Sequence, residues 1–147
     1  MYRQPPVRVH PRILLGAGHM LTPAFVARHK ITHVINCAFP EDSPLWFRKK
    51  FPDQYACMGA LDSVHVRILD WYPRFESTMR KFLRESNGTI FVHCQAGINR
   101  SAYLLLFFMT VNFNQDFGKL VREVRKYRTV CTNPSFMKEV ATVLAVG

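Results

Sequence analysis

One run of the chain combines residue types and spacing suited to covalent chemistry: His93-Cys94-Gln95-Ala96-Gly97-Ile98-Asn99-Arg100-Ser101. It is a Cys-x5-Arg loop. A strand pattern, Thr89-Ile90-Phe91-Val92, precedes it, and an apolar helical stretch over 102–111 follows. A strand that ends in a tight loop opening a helix gathers backbone N–H groups at one point, and the helix dipole adds partial positive charge there. Gln95, Ala96, Gly97, Ile98 and Asn99 would line an anion held in such a loop. Cys94, at its first position, would ionise readily and act as a nucleophile. Arg100 offers a planar fork of donors for two phosphate oxygens. The Ser101 hydroxyl suits a helix cap or a hydrogen bond to the Cys94 sulfur that eases departure of the thiolate, and the two roles are compatible. His93 is expected to order the loop and help set the thiol pKa through hydrogen bonds, not to act as a base. The bland alternative is an inert buried cysteine beside an unrelated surface arginine, and the strand–loop–helix setting weighs against it.

Displacement at phosphorus also needs a proton for the leaving oxygen and later a base for water, both supplied best by a carboxyl group on a separate segment. Asp62 is the preferred candidate. It follows a strand pattern over 54–61 and so falls at the sheet edge, where α/β sites form. Asp70 is the rival, although capping of the next helix accounts for it. Asp42 and Asp53 stand in turn-like sequence, where aspartate is common for local reasons.

The elements that must hold these residues alternate. Residues 1–11 are proline-rich and basic and read as an extended lead-in, leaving 12–147 as one domain. Ile13-Leu14-Leu15 is a short strand closed by Gly16. Thr22-Pro23 is an N-cap with proline at the first helical position, opening a helix to about residue 29. A second strand spans 32–39. The turn-rich stretch 40–52 carries Trp46 and Phe47, which would cover a core edge. Asp70 caps a helix to about residue 85, and Asn87-Gly88 ends it. The helix after Arg100 is apolar almost all round and should be central. Asn114 caps another with Lys119, Arg122 and Lys126 outward, and Pro134 or Ser135 begins the last, to about residue 144. This order predicts an α/β fold with a mainly parallel sheet flanked by helices.

Composition narrows the class further. With 48% hydrophobic and 13% aromatic residues in 147, the chain can bury a proper core and is not of disordered type. No apolar run reaches membrane-spanning length, and the start lacks an apolar signal core. An intracellular, cytoplasmic protein is expected, with the nucleus or a virion as further places. Four scattered cysteines, Cys37, Cys57, Cys94 and Cys131, form no Cys-x2-Cys pair, so no zinc site and free thiols are expected. A net charge of +10 favours anionic partners. Residues 48–50 and 119–128 read as solvated or substrate-steering faces before they read as a nucleic-acid groove.

These residues resemble the cysteine-dependent protein tyrosine phosphatase superfamily, and most closely its small, atypical dual-specificity branch, over roughly residues 10–144. Ile13-Leu14-Leu15-Gly16 resembles that branch's opening strand, and Ile31-Thr32-His33-Val34-Ile35-Asn36 is similar to its Ile-Thr-His-Val-Leu-Asn run. Asp62-Ser63 stands where the family's general acid stands. Residues 93–101 are its signature loop, and Asn133-Pro134-Ser135-Phe136 resembles its late Pro-Asn-x-x-Phe segment with the first two residues exchanged. The resemblance implies a metal-free, cofactor-free reaction in two steps. Cys94 attacks phosphorus while Asp62 protonates the leaving oxygen; Asp62 then activates water on the cysteinyl-phosphate, and Ser101 helps release the thiolate. It implies phosphorylated protein substrates bearing phosphotyrosine and phosphoserine or phosphothreonine. Ala102 and Phe107-Phe108-Met109-Thr110 depart from the family's usual helix. Asn99 before Arg100 is similar to the poxvirus H1-type phosphatases, and an expectation of viral source rests on it alone. Two alternatives stay open: an RNA 5′-triphosphatase of the same superfamily, which the basic charge suits but the loop's lack of an internal histidine does not, and a non-catalytic phospho-binding module. The oligomeric state is not legible in the sequence.

Overall fold

Residues 4–146 are described by a computed structural model of the chain. Its elements run β1 (Val7–His10), β2 (Ile13–Ala17), α1 (Pro23–His29), β3 (Ile31–Asn36), α2 (Leu45–Lys50), β4 (Tyr55–Cys57), α3 (Tyr72–Glu85), β5 (Thr89–Cys94), α4 (Arg100–Phe113), α5 (Phe117–Arg125) and α6 (Pro134–Val146). The strands form one sheet in the order β1-β2-β5-β3-β4, with β2, β5, β3 and β4 parallel and β1 antiparallel to β2. The sheet places β5 at its centre, and so brings Cys94 to the middle of the carboxyl edge, with Ala17 beside it on β2 and Asn36 paired to His93 on β3. In open parallel sheets this edge is where ligands bind.

Both faces of the sheet are covered, which is why β2, β3 and β5 are apolar at successive positions. Ile13, Leu15, Ile35, Ile90 and Val92 pack into the larger core with α3, α4, α5 and α6, whereas Leu14, Val34 and Phe91 face a smaller one with Leu21, Ile31 and Phe47. Helix α4 is buried on every side from Arg100 to Met109. Each Leu or Phe there contributes roughly 1.5–3 kcal/mol by leaving water, so α4 anchors the far side of the Cys94 loop rigidly.

The structure revises several element boundaries. Val7–His10, within the stretch read as a lead-in, is an edge strand whose Val7 opposes Leu15; the two-residue link 11–12 lets the chain fold straight back. Residues 1–3 and Gly147 lie outside the described residues. The stretch 40–52 contains the short helix α2, too brief for periodicity to reveal, and Phe47 within it is buried. The strand expected over 54–61 pairs only at Tyr55–Cys57. Asp70 caps nothing: it lies in a 3-10 turn, Ile68–Trp71, where its side chain is exposed beside Arg67. The free N–H groups of Ile68 and Leu69 are met instead by the Glu139 carboxylate of α6, both at 2.8 Å. Asn114 ends α4 in the left-handed conformation, φ 54°, and Asp116 caps α5 by accepting from the Lys119 N–H. Thr22 does cap α1, accepting from the Phe25 N–H at 3.1 Å.

Candidate active site

Residues 95–99 bridge the end of β5 and the start of α4, and their main-chain groups are divided by polarity. From Cys94 to Asn99 every carbonyl accepts a hydrogen bond. Cys94 O takes His93 Nδ1, Gln95 O takes the Gly18 N–H, and Ala96 O and Gly97 O take Nη2 and Nε of Arg128. Ile98 O takes the Cys131 N–H and Asn99 O the Tyr103 N–H. Among the described residues, the N–H groups of residues 95–99 donate to no protein acceptor. An unmatched carbonyl away from water is costly, so the surrounding donors fix the carbonyl side of the loop and leave its amides free for an anion. This is the arrangement of an anion nest at a helix N-terminus. Gly97 makes the turn: its φ is +69°, and a Cβ there would lie 2.4 Å from the Gly16 carbonyl oxygen.

Within this cradle Cys94 is 2% exposed, and Ser101 Oγ donates to its sulfur at 3.2 Å. The serine hydroxyl is therefore committed to the sulfur rather than to a helix cap. Arg100 is also buried. Its Nη1 donates to Ala60 O at 3.2 Å, while its Nε is buried without a protein acceptor. An unmatched guanidinium N–H beside free amides suits an incoming oxyanion. His93 is fully buried. Its Nδ1 lies 2.9 Å from Cys94 O and its Nε2 3.0 Å from the Ser43 hydroxyl. Burial pushes its pKa down to about 4, so the imidazole is neutral, Nδ1 donates to the carbonyl and Nε2 accepts from Ser43. His93 thus acts on the Cys94 main chain and brings no positive charge to the thiol.

Asp62 stands on the exposed segment after β4. That segment follows the end of β3, with Met58, Gly59 and Ala60 N–H groups bonded to Asn36, Ala38 and Cys37 carbonyls, before it swings outward. Asp62 is tied to the loop by two amides: Asn99 Nδ2 reaches Oδ2 at 3.2 Å and Asn133 Nδ2 reaches Oδ1 at 3.0 Å. The Asn99 side chain, read from sequence as lining the substrate, is turned toward Asp62 and residues 132–133, leaving only its main chain in the cradle. Asp70 makes no comparable contact with the loop; its side chain is exposed and pairs with Arg67 at 4.0 Å.

Arg128 and Ser43 escaped the sequence reading. Arg128 fell within a stretch read as a solvated basic face, yet it is 5% exposed and also donates to Pro5 O. Arg125 stays exposed but donates to the Val130 and Cys131 carbonyls. The remaining cysteines are free thiols. Burial raises Cys37 well above its ordinary value, raises Cys57, and pushes Cys131 up to about 12, so all three stay protonated.

Comparison with known proteins agrees with this geometry. The model of the family "Dual specificity phosphatase, catalytic domain" matches residues 13–143. The chain is 30% identical over 139 residues to dual specificity protein phosphatase 19 of Mus musculus, covering 91% of this chain and 60% of that protein. It is 28% identical over 141 residues to dual specificity protein phosphatase 13B of Homo sapiens, covering 89% of this chain and 68% of that protein. The chain therefore spans well under the full length of these relatives. Among solved structures it is similar to the human tyrosine phosphatase-like serine/threonine/tyrosine-interacting protein, with a TM-score of 0.81, 20% identity and 98% of each chain covered; at that identity the likeness is one of fold. The family match takes in the whole sheet from β2 onward, the Cys94 loop and Asp62, and the chain belongs to the dual specificity phosphatase catalytic-domain family.

Proposed function

We propose that this chain hydrolyses phosphotyrosine and phosphoserine or phosphothreonine in proteins through a cysteinyl-phosphate. The observation that carries the reading is the division of the 94–99 main chain, carbonyls tied back and amides free, around a cysteine sulfur and an arginine with an unmatched Nε. The amides and Arg100 would neutralise the equatorial oxygens as phosphorus moves from the substrate oxygen to sulfur. The Cys94 thiolate forms the S–P bond as the P–O bond breaks, and Asp62 gives its proton to the departing oxygen. In the second step Asp62 takes a proton from water as the water oxygen bonds to phosphorus. The S–P bond then breaks and the electron pair returns to sulfur, where the Ser101 hydroxyl hydrogen-bonds the departing thiolate. All four cysteines are free, which supports a reducing compartment, and the cytoplasm is the proposed location. No helix among the described residues is long and apolar enough to cross a membrane.

The test is phosphate release from a peptide bearing phosphotyrosine and phosphothreonine, with EDTA present, by the native chain, Cys94→Ser and Asp62→Ala. Release by the native chain and none by Cys94→Ser, with Asp62→Ala slowed on the order of a hundredfold or more, supports the proposal. No release by the native chain would sink it and turn the search to RNA bearing a 5′-triphosphate or to phosphopeptide capture without turnover.

A further inference from the structure

The amide of Asn99 does more than fill a place in the loop. Its Oδ1 accepts from the Thr132 N–H at 2.8 Å, the Asn133 N–H at 3.0 Å and the Thr132 hydroxyl at 3.3 Å. Those donors fix which end of the amide faces which way. Turning it over would set an NH2 group against two N–H groups, so Nδ2 is held toward Asp62. Asn133 is fixed in the same manner: its Oδ1 accepts from the Ser135 and Phe136 N–H groups at the start of α6, at 3.0 and 3.1 Å, and its Nδ2 is left for the other Asp62 oxygen. The Asn133 carbonyl in turn accepts from the buried Tyr103 hydroxyl at 2.9 Å, tying this corner to α4.

We infer that Asn99 is a positioning residue which, with Asn133, clamps the Asp62 carboxyl over the phosphate loop, one amide on each oxygen. Asp62 stands on an exposed segment that the sheet releases after Ala60, so nothing on its own strand fixes its reach. The clamp supplies that placement from two rigid anchors, the start of α4 and the start of α6. Each carboxylate oxygen has a further lone pair, so the clamp leaves room for the proton that Asp62 must carry. Placing a proton donor within hydrogen-bond reach of the leaving oxygen is a geometric requirement before it is one of acidity. The inference rests on Asp62 being the acid of the proposed reaction.

The experiment compares two aryl phosphates. A phenol as weakly acidic as tyrosine, with a pKa of about 10, leaves poorly without a proton; a nitrophenol leaves with little help. The ratio of kcat/KM for the nitrophenyl ester to that for the phenyl ester therefore reports on the acid, whereas a general loss of loop structure moves both numbers together. Asn99→Ala should raise this ratio on the order of tenfold, a part of the 10²–10⁴ that general acid catalysis supplies. Asn99→Asp, which keeps the Oδ1 acceptor and removes the donor, should raise it too and decides the matter if the alanine variant folds poorly. In an Asp62→Ala background neither change should alter the ratio further. If Asp62→Ala raises the ratio and the Asn99 variants do not, the clamp is refuted while the acid assignment stands. If they raise it equally without Asp62, the effect does not travel through that carboxyl and the clamp is again refuted. If Asp62→Ala itself leaves the ratio unchanged, the acid assignment fails and the clamp fails with it.

Discussion

Acidification should unfold this protein in part through His93. The imidazole is 0% exposed, stacked on Phe91, with Nδ1 on the Cys94 carbonyl and Nε2 on the Ser43 hydroxyl. Desolvation dominates its titration and outweighs the opposing pull of the Cys94 carbonyl and the Asp42 charge, holding it near 4 against 6.5 for a free histidine. Because the folded value lies below the unfolded one, the unfolded chain binds the proton first. His93 costs nothing above about pH 6.5, and the penalty accumulates as pH falls toward about 4. Between about pH 7.5 and 5 the difference in proton binding comes to roughly 2 kcal/mol. With a urea dependence of about 2 kcal/mol per molar, the unfolding midpoint should fall by about 1 M over that interval from this group alone. His10, His29 and His33 are shifted the same way by burial and add to the trend. The contribution of His93 is isolated by His93→Asn in a Ser43→Ala background, compared with Ser43→Ala alone. Asparagine keeps a donor for the Cys94 carbonyl and cannot titrate, and the background removes the partner of Nε2 from both. The double variant should lose about 1 M less in midpoint across the interval. Equal losses would refute the reasoning, since they would mean that His93 titrates alike folded and unfolded.

Two further expectations concern the cradle. Arg128→Met keeps bulk but leaves the Ala96, Gly97 and Pro5 carbonyls without their donor; the buried Gly97 acceptor left unmet costs about 1–3 kcal/mol, and the Ala96 and Pro5 acceptors, within reach of water, cost less. The melting temperature should drop and kcat/KM should fall by roughly a hundredfold, and a variant with native turnover would show that the loop holds its shape without the brace. Gly97→Ala meets both a positive φ and the Gly16 carbonyl oxygen at 2.4 Å. It should abolish binding of phosphate or vanadate measured by calorimetry, and undiminished binding would place the anion elsewhere.

The grouping of Cys94, Arg100 and Ser101 was legible because it is local: a Cys-x5-Arg run between a strand and a helix needs only adjacent residues to make sense. Asp62 was legible only to its position at a strand end, since the sequence cannot say what holds it. The parts that escaped are those whose partners are distant in sequence. Arg128 lies near the end of an amphipathic pattern, where a charged side chain ordinarily faces water; its reason for turning inward is two carbonyls more than thirty positions earlier. Ser43 sits in a proline-rich turn fifty positions from His93. Asp70 and Asn114 misled in the opposite sense. Each is a good cap by type, but Glu139 had already met the N–H groups beside Asp70, and Asn114 was needed for the left-handed turn that closes α4.

These misses share a physical origin that also gives the site its form. A loop that turns all its amides toward an anion must turn its carbonyls away, into protein, and each then needs a donor that the loop itself cannot supply. Gly18, Tyr103 and the pair Arg128 and Cys131 come from three different stretches of chain to meet that need, and His93 meets it from the adjoining strand. The Cys94 loop is thus nine residues in sequence but a convergence of the fold in space. Its rigidity is inherited from the buried α4 on one side and the paired β2 and β3 on the other. The same logic extends outward to Asp62, which is held by no element of its own and takes its position from Asn99 and Asn133, so that the proposed acid and the proposed nucleophile are set by one connected frame.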